Sequence, residues 1–250
     1  MAKISGTEAF ETVAGAQANP LLLLCDHASN DLPAEYGSLG LAASQFQRHI
    51  AYDIGARALT LGLAERLQAA AVLSRFSRLL IDPNRGPDDP TLIMRLSDGA
   101  VVPGNAQVDG HERQRRIARF YRPYHAAITT EVARIRTQGL APLLVSIHSF
   151  TPQWKSFPRP WHVGILWDRD EAVARAMIDG FAAQGDLAVG DNEPYHGALE
   201  GDTLNTHGTK AGLPHALIEI RQDLIAAKTG VDEWVERVAR VVEPIMKGSR

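Results

Sequence analysis

The sequence predicts an α/β protein with a mixed, mostly parallel sheet and helices on both faces of that sheet. The first observation is a set of short apolar runs rich in Leu, Val and Ile, separated by longer segments of helical periodicity. The second is composition, because 250 residues with 45% hydrophobic and 22% charged side chains are typical of a globular chain that buries its own core. We therefore expect a single domain over residues 1–250.

Strands and helices are expected to alternate along the chain. The apolar runs predict strands at residues 20–25, 71–75, 143–147, 162–167 and 215–220. Apolar residues that recur every three or four positions predict helices at residues 53–70, 117–135, 170–184 and 231–246. The stretches without periodicity are residues 82–110, 149–161 and 190–213. Because ordinary connections have about 4 to 6 residues, we expect these long loops to build a functional site.

Charge and cysteine content exclude several classes of protein. The net charge of −3 comes from 26 basic and 29 acidic residues spread along the chain, which leaves no basic field for a nucleic acid. No apolar run approaches the roughly 18 to 20 residues of a membrane span, and residues 1–5 lack the apolar core of a signal peptide. The single cysteine, Cys25, cannot form an intrachain disulfide and is predicted to be a core residue. We expect a cytoplasmic protein without nucleic-acid or membrane partners.

Two predicted strands end in a histidine. His27 follows the first apolar run, and His148 follows the run at residues 143–147. The carboxyl ends of parallel strands meet at one sheet edge, where open α/β sheets form their ligand crevice, so the two imidazoles are expected to lie close together. A single histidine there is better explained by a hydrogen bond to the following turn, but the repetition favours a shared site.

A catalytic zinc site needs about three protein ligands, commonly two histidines and one carboxylate. Asp53, which is predicted to open the first helix, is one candidate for the carboxylate, and Asp26 and Asp31 compete with it. Taken alone, capping of the helix N-terminus is the better explanation of Asp53. The residues themselves leave the third ligand open.

The last predicted strand carries two charged residues on one face. Glu219 and Arg221 alternate with apolar residues near its carboxyl end. A glutamate there could activate water and then protonate a leaving amine, as the general base and acid of metal-assisted hydrolysis. Arg221 or Arg75 could stabilise an oxyanion or bind a second carboxylate. An ion pair between Glu219 and Arg221 on an edge strand explains the pattern equally well.

Residues 82–86 form a turn-like segment after the second predicted strand. Asn84 and Arg85 place an amide beside a planar guanidinium, which suits bidentate binding of a substrate carboxylate. Arg75 and Arg78 lie just upstream and could share that role. A β-turn with a solvated arginine is the simpler explanation of the segment alone.

Four segments taken together resemble the N-formylglutamate amidohydrolases. They are residues 25–30 (CDHASN), 49–56 (HIAYDIGA), 78–85 (RLLIDPNR) and 212–223 (GLPHALIEIRQD). The similarity spans roughly residues 20 to 230, and the order and co-occurrence of the segments make it specific. That family is related to the zinc carboxypeptidases and to the bacterial cell-wall amidases, so the resemblance implies their phosphorylase/hydrolase-like fold.

The resemblance also implies roles for individual residues. It implies His27, Asp53 and His148 as ligands of Zn²⁺ or of another divalent metal, and Glu219 as the catalytic residue. The cell-wall amidases usually have Glu where this chain has Asp53. The adjacent Asn84-Arg85 resembles the pair that binds the substrate carboxylate in the carboxypeptidases.

The implied reaction is metal-dependent hydrolysis of the amide bond of a small N-acyl amino acid. The leading substrate is N-formyl-L-glutamate, which would give formate and L-glutamate late in histidine degradation. Two other interpretations stay open: a peptidoglycan or peptide amidase on the same fold, and a carboxylate-binding module without a metal.

Overall fold

A computed structural model describes residues 9–248. The N-terminal segment for which the sequence predicts no signal peptide lies outside the described residues. The described chain has a central sheet with helices on both faces, so the predicted α/β class is confirmed. Among the described residues, no helix combines the length and the apolar character that crossing a membrane requires.

Strands are distributed along the whole described chain. Those formed within residues 9–248 are β1 (Phe10–Val13), β2 (Leu21–Cys25), β3 (Ala70–Ser74), β4 (Leu96–Ser97), β5 (Ala100–Val101), β6 (Leu143–Phe150), β7 (Gln153–Trp154), β8 (Phe157–Pro158), β9 (Val163–Leu166), β10 (Val189–Asp191) and β11 (His215–Arg221). The main sheet of the described chain has seven strands in the order β1-β3-β2-β6-β11-β9-β10, and β4–β5 and β7–β8 form two small hairpins.

The main sheet is mixed and mostly parallel, as predicted. The neighbours β3, β2, β6 and β11 run parallel, and so do β9 and β10. The antiparallel pairs are β1 with β3 and β9 with β11. The five predicted strands correspond to β2, β3, β6, β9 and β11. The short β1 and β10 at the two sheet edges were not predicted, because they have few residues and only partly buried side chains.

The helices of the described chain are α1 (Ala56–Leu67), α2 (Pro103–Ala106), α3 (Gly110–Arg116), α4 (Arg122–Thr137), α5 (Glu171–Ala182) and α6 (Lys228–Gly248). Residues Ile117–Tyr121 form a π-helical segment between α3 and α4, and Asn205–Thr209 form another before β11. Along β2, Leu21 and Leu23 pack with α1, α5 and α6, whereas Leu22 and Leu24 pack with α4. This alternation buries both faces of the parallel strands, and Cys25 belongs to the core as expected.

The first long helix begins later than predicted, which changes the position of Asp53. Gly55 has a φ of 82° and precedes Ala56, the first residue of α1. A Cβ at Gly55 would lie 2.3 Å from the carbonyl oxygen of Ile225, so only glycine fits this turn. Asp53 therefore lies before the helix, where its N–H donates to the His27 carbonyl at 3.0 Å. The expectation that Asp53 opens or caps the helix is wrong.

Candidate active site

Two histidines and one aspartate meet at the carboxyl ends of β2 and β6. His27 follows β2, His148 lies on β6, and Asp53 reaches them from the connection before α1. Asp53 Oδ2 lies 3.3 Å from His27 Nδ1 and 2.8 Å from His148 Nδ1. One potential ligand atom from each residue lies within 4.8 Å of the others, and all three side chains are buried. In the described part of the chain, Asp53 completes this cluster, whereas Asp26 and Asp31 do not.

The other ring nitrogen of each histidine contacts a further buried carboxylate, a different one for each ring. His27 Nε2 lies 2.7 Å from Asp82 Oδ1, and His148 Nε2 lies 3.0 Å from Asp26 Oδ2. When those nitrogens carry the proton, both Nδ1 lone pairs are directed at the common centre, an arrangement typical of metal-ligating histidines. Asp26, a competing ligand on sequence grounds, therefore lies behind His148 in the structure.

Asp26 is also the centre of a buried hydrogen-bond network. Its other donors are Tyr124 Oη at 3.0 Å, Ser146 Oγ at 3.0 Å and Thr203 Oγ1 at 2.6 Å. Burial raises the pKa of Asp26, but the hydrogen bond with His148 and the nearby imidazoles outweigh it and hold that pKa below its usual range. Asp26 is therefore ionised and fixed in place.

The charge of the cluster favours a bound cation. Arg78 donates to Asp82 Oδ2 at 2.7 and 3.1 Å, and its Nη1 lies 3.6 Å from Asp53 Oδ1. Burial opposes ionisation of Asp82, yet Arg78 and His27 keep the pKa of Asp82 well below its usual range. Burial opposes protonation of His148, but its hydrogen bonds to Asp26 and Asp53 outweigh burial and raise the pKa of His148 well above its usual range, so a proton on the imidazole balances part of the negative charge of the metal-free cluster. A divalent cation would displace that proton and neutralise the two negative charges that the three carboxylates and the Arg78 guanidinium leave together.

Glu219 lies beside His148 on the neighbouring strand. The two are register partners of β11 and β6, so their side chains project from the same face of the sheet. Glu219 is 6% exposed, and its Oε2 has no hydrogen-bond partner among the described residues. Burial raises the pKa of Glu219 to about 7. A carboxyl group with a free oxygen and a pKa near neutrality is suited to accept and return a proton.

The alternative explanation of Glu219 as one half of an edge-strand ion pair is wrong. Arg221 pairs with Asp223, with Nε 2.8 Å from Oδ1, and its Nη1 contacts the Trp161 carbonyl. In addition, β11 is an inner strand between β6 and β9.

A cavity of about 310 Å³ lies over the cluster. His27, Asp53, His148 and Glu219 line it, and each of the three long loops contributes further residues to its wall. The expectation that these loops build a site therefore agrees with the structure.

The predicted substrate-binding residues divide into two groups. Arg78, Asn84 and Arg85 line the cavity, and Asn84 Oδ1 accepts a hydrogen bond from the Thr203 N–H at 3.1 Å. Arg75 and Arg221 are outside the set of described residues that line it. The backbone N–H of Arg75 instead donates to the Ala9 carbonyl at the sheet edge.

Sequence reasoning missed the roles of several residues. The sequence suggests Asp26 only as a rival ligand and Asp82 only as part of a turn. A metal-binding histidine needs a hydrogen-bond acceptor at its far ring nitrogen, and this requirement is a signal that could have identified both carboxylates. Asp202 and Tyr195 also line the cavity. Their loop has no periodicity, so the sequence offers no signal that would have placed them there.

Known proteins resemble this chain in both sequence and fold. The sequence profile of the N-formylglutamate amidohydrolases matches residues 19–226. The N-formylglutamate deformylase of Pseudomonas putida is 26% identical in an alignment of 204 residues that covers 74% of this chain and 74% of its own. A gene product of Agrobacterium tumefaciens with a crystal structure is 35% identical, with 96% of both chains covered and a TM-score of 0.91.

A second solved structure supports the same fold. The N-formylglutamate amidohydrolase of Ralstonia eutropha JMP134 is 22% identical, covers 97% of this chain and 99% of its own, and has a TM-score of 0.75.

Proposed function

The chain belongs to the N-formylglutamate amidohydrolase family, and from this premise we propose that it is a metal-dependent hydrolase that deformylates N-formyl-L-glutamate. The observation that carries the proposal is the buried His27–Asp53–His148 cluster beside Glu219, whose Oε2 lacks a partner among the described residues. The place in histidine degradation and the cytoplasmic location expected from the sequence stay predictions.

The donor set fits Zn²⁺ or a similar divalent ion. His27 Nδ1, His148 Nδ1 and Asp53 Oδ2 would hold it, and the carboxylates behind the imidazoles and the negative charge of the cluster support such an ion. When bound, the ion would polarise the acyl carbonyl and lower the pKa of a water molecule in the cavity.

Glu219 carries out the proton transfers of the proposed reaction. It accepts a proton as water adds to the acyl carbon, and it returns that proton to the amide nitrogen as the C–N bond breaks. The products are formate and the free amino acid. The pKa of Glu219, which burial raises to about 7, suits both transfers at neutral pH.

Arg85 and Asn84 bind the substrate carboxylate. Arg85 Nη1 donates to the Asn84 carbonyl at 2.8 Å, which orients the guanidinium beside the amide. The guanidinium of Arg78 is already paired with Asp82 and lies near Asp53, so its charge is balanced within the cluster. Arg85 is therefore the better partner for a substrate carboxylate.

The test is formate release by the purified protein from N-formyl-L-glutamate, compared with hydrolysis of N-acetyl-L-glutamate and of a muramoyl-L-alanine peptide. We expect formate release to be the fastest of the three reactions and to disappear in His148→Ala. Hydrolysis of the muramoyl peptide without formate release would support the amidase alternative. Binding of N-formyl-L-glutamate without turnover, in protein loaded with metal, would support a binding module.

A further inference from the structure

Two loops lie face to face along one wall of the cavity. Asn84 Oδ1 accepts from the Thr203 N–H at 3.1 Å. Gly86, two residues after Asn84, and Gly201, two residues before Thr203, also approach each other closely. A Cβ at Gly201 would lie 2.8 Å from the Cα of Gly86. Arg85 and Asp202 lie between these contacts, one on each loop, and both line the cavity. The loop contact therefore brings Arg85 and Asp202 opposite each other at the cavity wall.

Arg85 and Asp202 do not form an ion pair with each other in the described chain. Arg85 Nη1 donates to the Asn84 carbonyl at 2.8 Å, and Asp202 Oδ1 accepts from the Asn205 N–H at 2.6 Å. Within residues 9–248, Asp202 Oδ2 and the remaining Arg85 N–H groups take no further hydrogen bond. Asp202 is only 5% exposed but lines the cavity, and its Oδ2 is not among the buried oxygens that lack a partner in the described chain, so this oxygen is open to the cavity and available to a ligand.

We propose that Arg85 and Asp202 together recognise the amino-acid half of the substrate, Arg85 by binding its α-carboxylate and Asp202 by accepting a hydrogen bond from its amide N–H. The inference rests on the proposed function and deepens it. In an N-acyl α-amino acid the carboxylate and the amide nitrogen are attached to the same carbon, so their partners in the protein must be neighbours. The substrate class is then N-acyl α-amino acids whose nitrogen carries a hydrogen.

The state of Asp202 agrees with this role. Burial raises the pKa of Asp202 to about 6, so above pH 7 the side chain is mainly a carboxylate. After cleavage the same oxygen would face the ammonium group of the product amino acid. Asp202 should therefore contribute to binding of the product as well as the substrate.

The first test measures equilibrium binding at pH 8 of L-glutamate and of glutarate, which has the same carbon chain and both carboxylates but no nitrogen. Wild-type protein loaded with metal should bind L-glutamate roughly 10- to 100-fold more tightly, as expected for a hydrogen bond to a charged group. Asp202→Asn should lose that preference, because its Oδ1 can still accept from Asn205 while its amide presents a donor to the ligand. Asp168→Asn is the matched control, since it removes a carboxylate that lines the same cavity, and it should keep the preference.

The second test compares turnover of N-formyl-L-glutamate with turnover of its N-methyl derivative. Wild-type protein should prefer the N–H substrate by a similar factor in kcat/KM, and Asp202→Asn should discriminate much less. If Asp202 only caps the loop, Asp202→Asn will behave as the wild type while Asp202→Ala melts at a lower temperature. That result overturns the proposal, as does wild-type protein that shows no preference for L-glutamate over glutarate.

These outcomes separate the inference from the proposed function. Formate release with equal use of the N-methyl substrate would overturn the Asp202 role and leave the deformylase activity standing. An Asp202-dependent preference for L-glutamate without any formate release would overturn the deformylase activity and leave the Asp202 role standing.

Discussion

Replacement of Asp26 by asparagine tests how His148 is held. Asp26 is 1% exposed and accepts hydrogen bonds from His148 and three hydroxyl groups. Asparagine keeps the shape but has one acceptor oxygen and one donor nitrogen. A hydroxyl group can rotate and accept a hydrogen bond from that amide nitrogen, whereas the Nε2–H of His148 can only donate. We expect the asparagine oxygen to face His148 and its amide nitrogen to face Tyr124 and Thr203.

The magnitude follows from the charge that is removed. A hydrogen bond to a charged acceptor contributes about 1.5 to 3 kcal/mol and a neutral one about 0.5 to 1.5 kcal/mol. The contact with His148 should therefore weaken by about 1 to 1.5 kcal/mol, which is roughly a 10-fold loss of metal affinity. Asp26→Ala instead leaves an N–H and three hydroxyls without their acceptor, and it should destabilise the metal-free protein by about 3 to 5 kcal/mol.

The assay is competition for Zn²⁺ between the protein and a chromophoric chelator, together with urea unfolding of the metal-free variants. Asp31→Asn is the control, because Asp31 is the other rival ligand suggested by the sequence and is outside the cluster of the described residues. It should bind Zn²⁺ as the wild type does. Wild-type affinity in Asp26→Asn would refute the argument that Asp26 orients His148. A loss as complete as in His148→Ala would mean that Asp26 is itself a ligand.

Three further changes have defined outcomes. Glu219→Gln keeps the shape of the side chain without its basic oxygen, so kcat should fall about 10²- to 10⁴-fold at full metal content, and near-normal turnover would refute the general-base role. Arg85→Ala should weaken binding of N-formyl-L-glutamate by about 1.5 to 3 kcal/mol but hardly affect its α-amide, and an unchanged preference for the free carboxylate would contradict the assignment. His207 Nε2 lies 2.8 Å from His125 Nδ1, and burial lowers the pKa of His207 to about 4, below the usual 6.5. Because the unfolded chain then binds the proton more tightly than the folded chain, the free energy of unfolding falls as the pH is lowered from about 6.5 to 4. Urea unfolding at these two pH values should show that His207→Gln reduces this loss by up to about 3 kcal/mol. Equal losses in the variant and the wild type would contradict the argument.

The sequence predicted the strands and the histidines of the site because both depend on local pattern. The apolar runs of β2 and β6 are long enough to be recognised, and parallel strands bring His27 and His148 to one edge. Glu219 was found for the same reason, since its position on β11 fixes its face. The choice of Asp53 over Asp26 needed the family resemblance.

What the sequence could not predict depends on contacts between distant segments. The late start of α1 follows from the approach of Gly55 to Ile225, 170 residues further along the chain, which no local pattern reveals. Arg221 lies on the strand that carries Glu219, yet it pairs with Asp223 and is not part of the cavity wall of the described chain. Asp202 was not found, because its position at the cavity depends on the contact of its loop with Asn84, which is distant in the sequence.

The most direct test of the account is a titration of the metal-free protein with Zn²⁺ while formate release from N-formyl-L-glutamate is measured. The account predicts that turnover is near zero without metal and rises in proportion to added Zn²⁺ until about one equivalent is bound by His27, Asp53 and His148. Full turnover by the metal-free chain, or one equivalent of bound Zn²⁺ without any formate release, would contradict it.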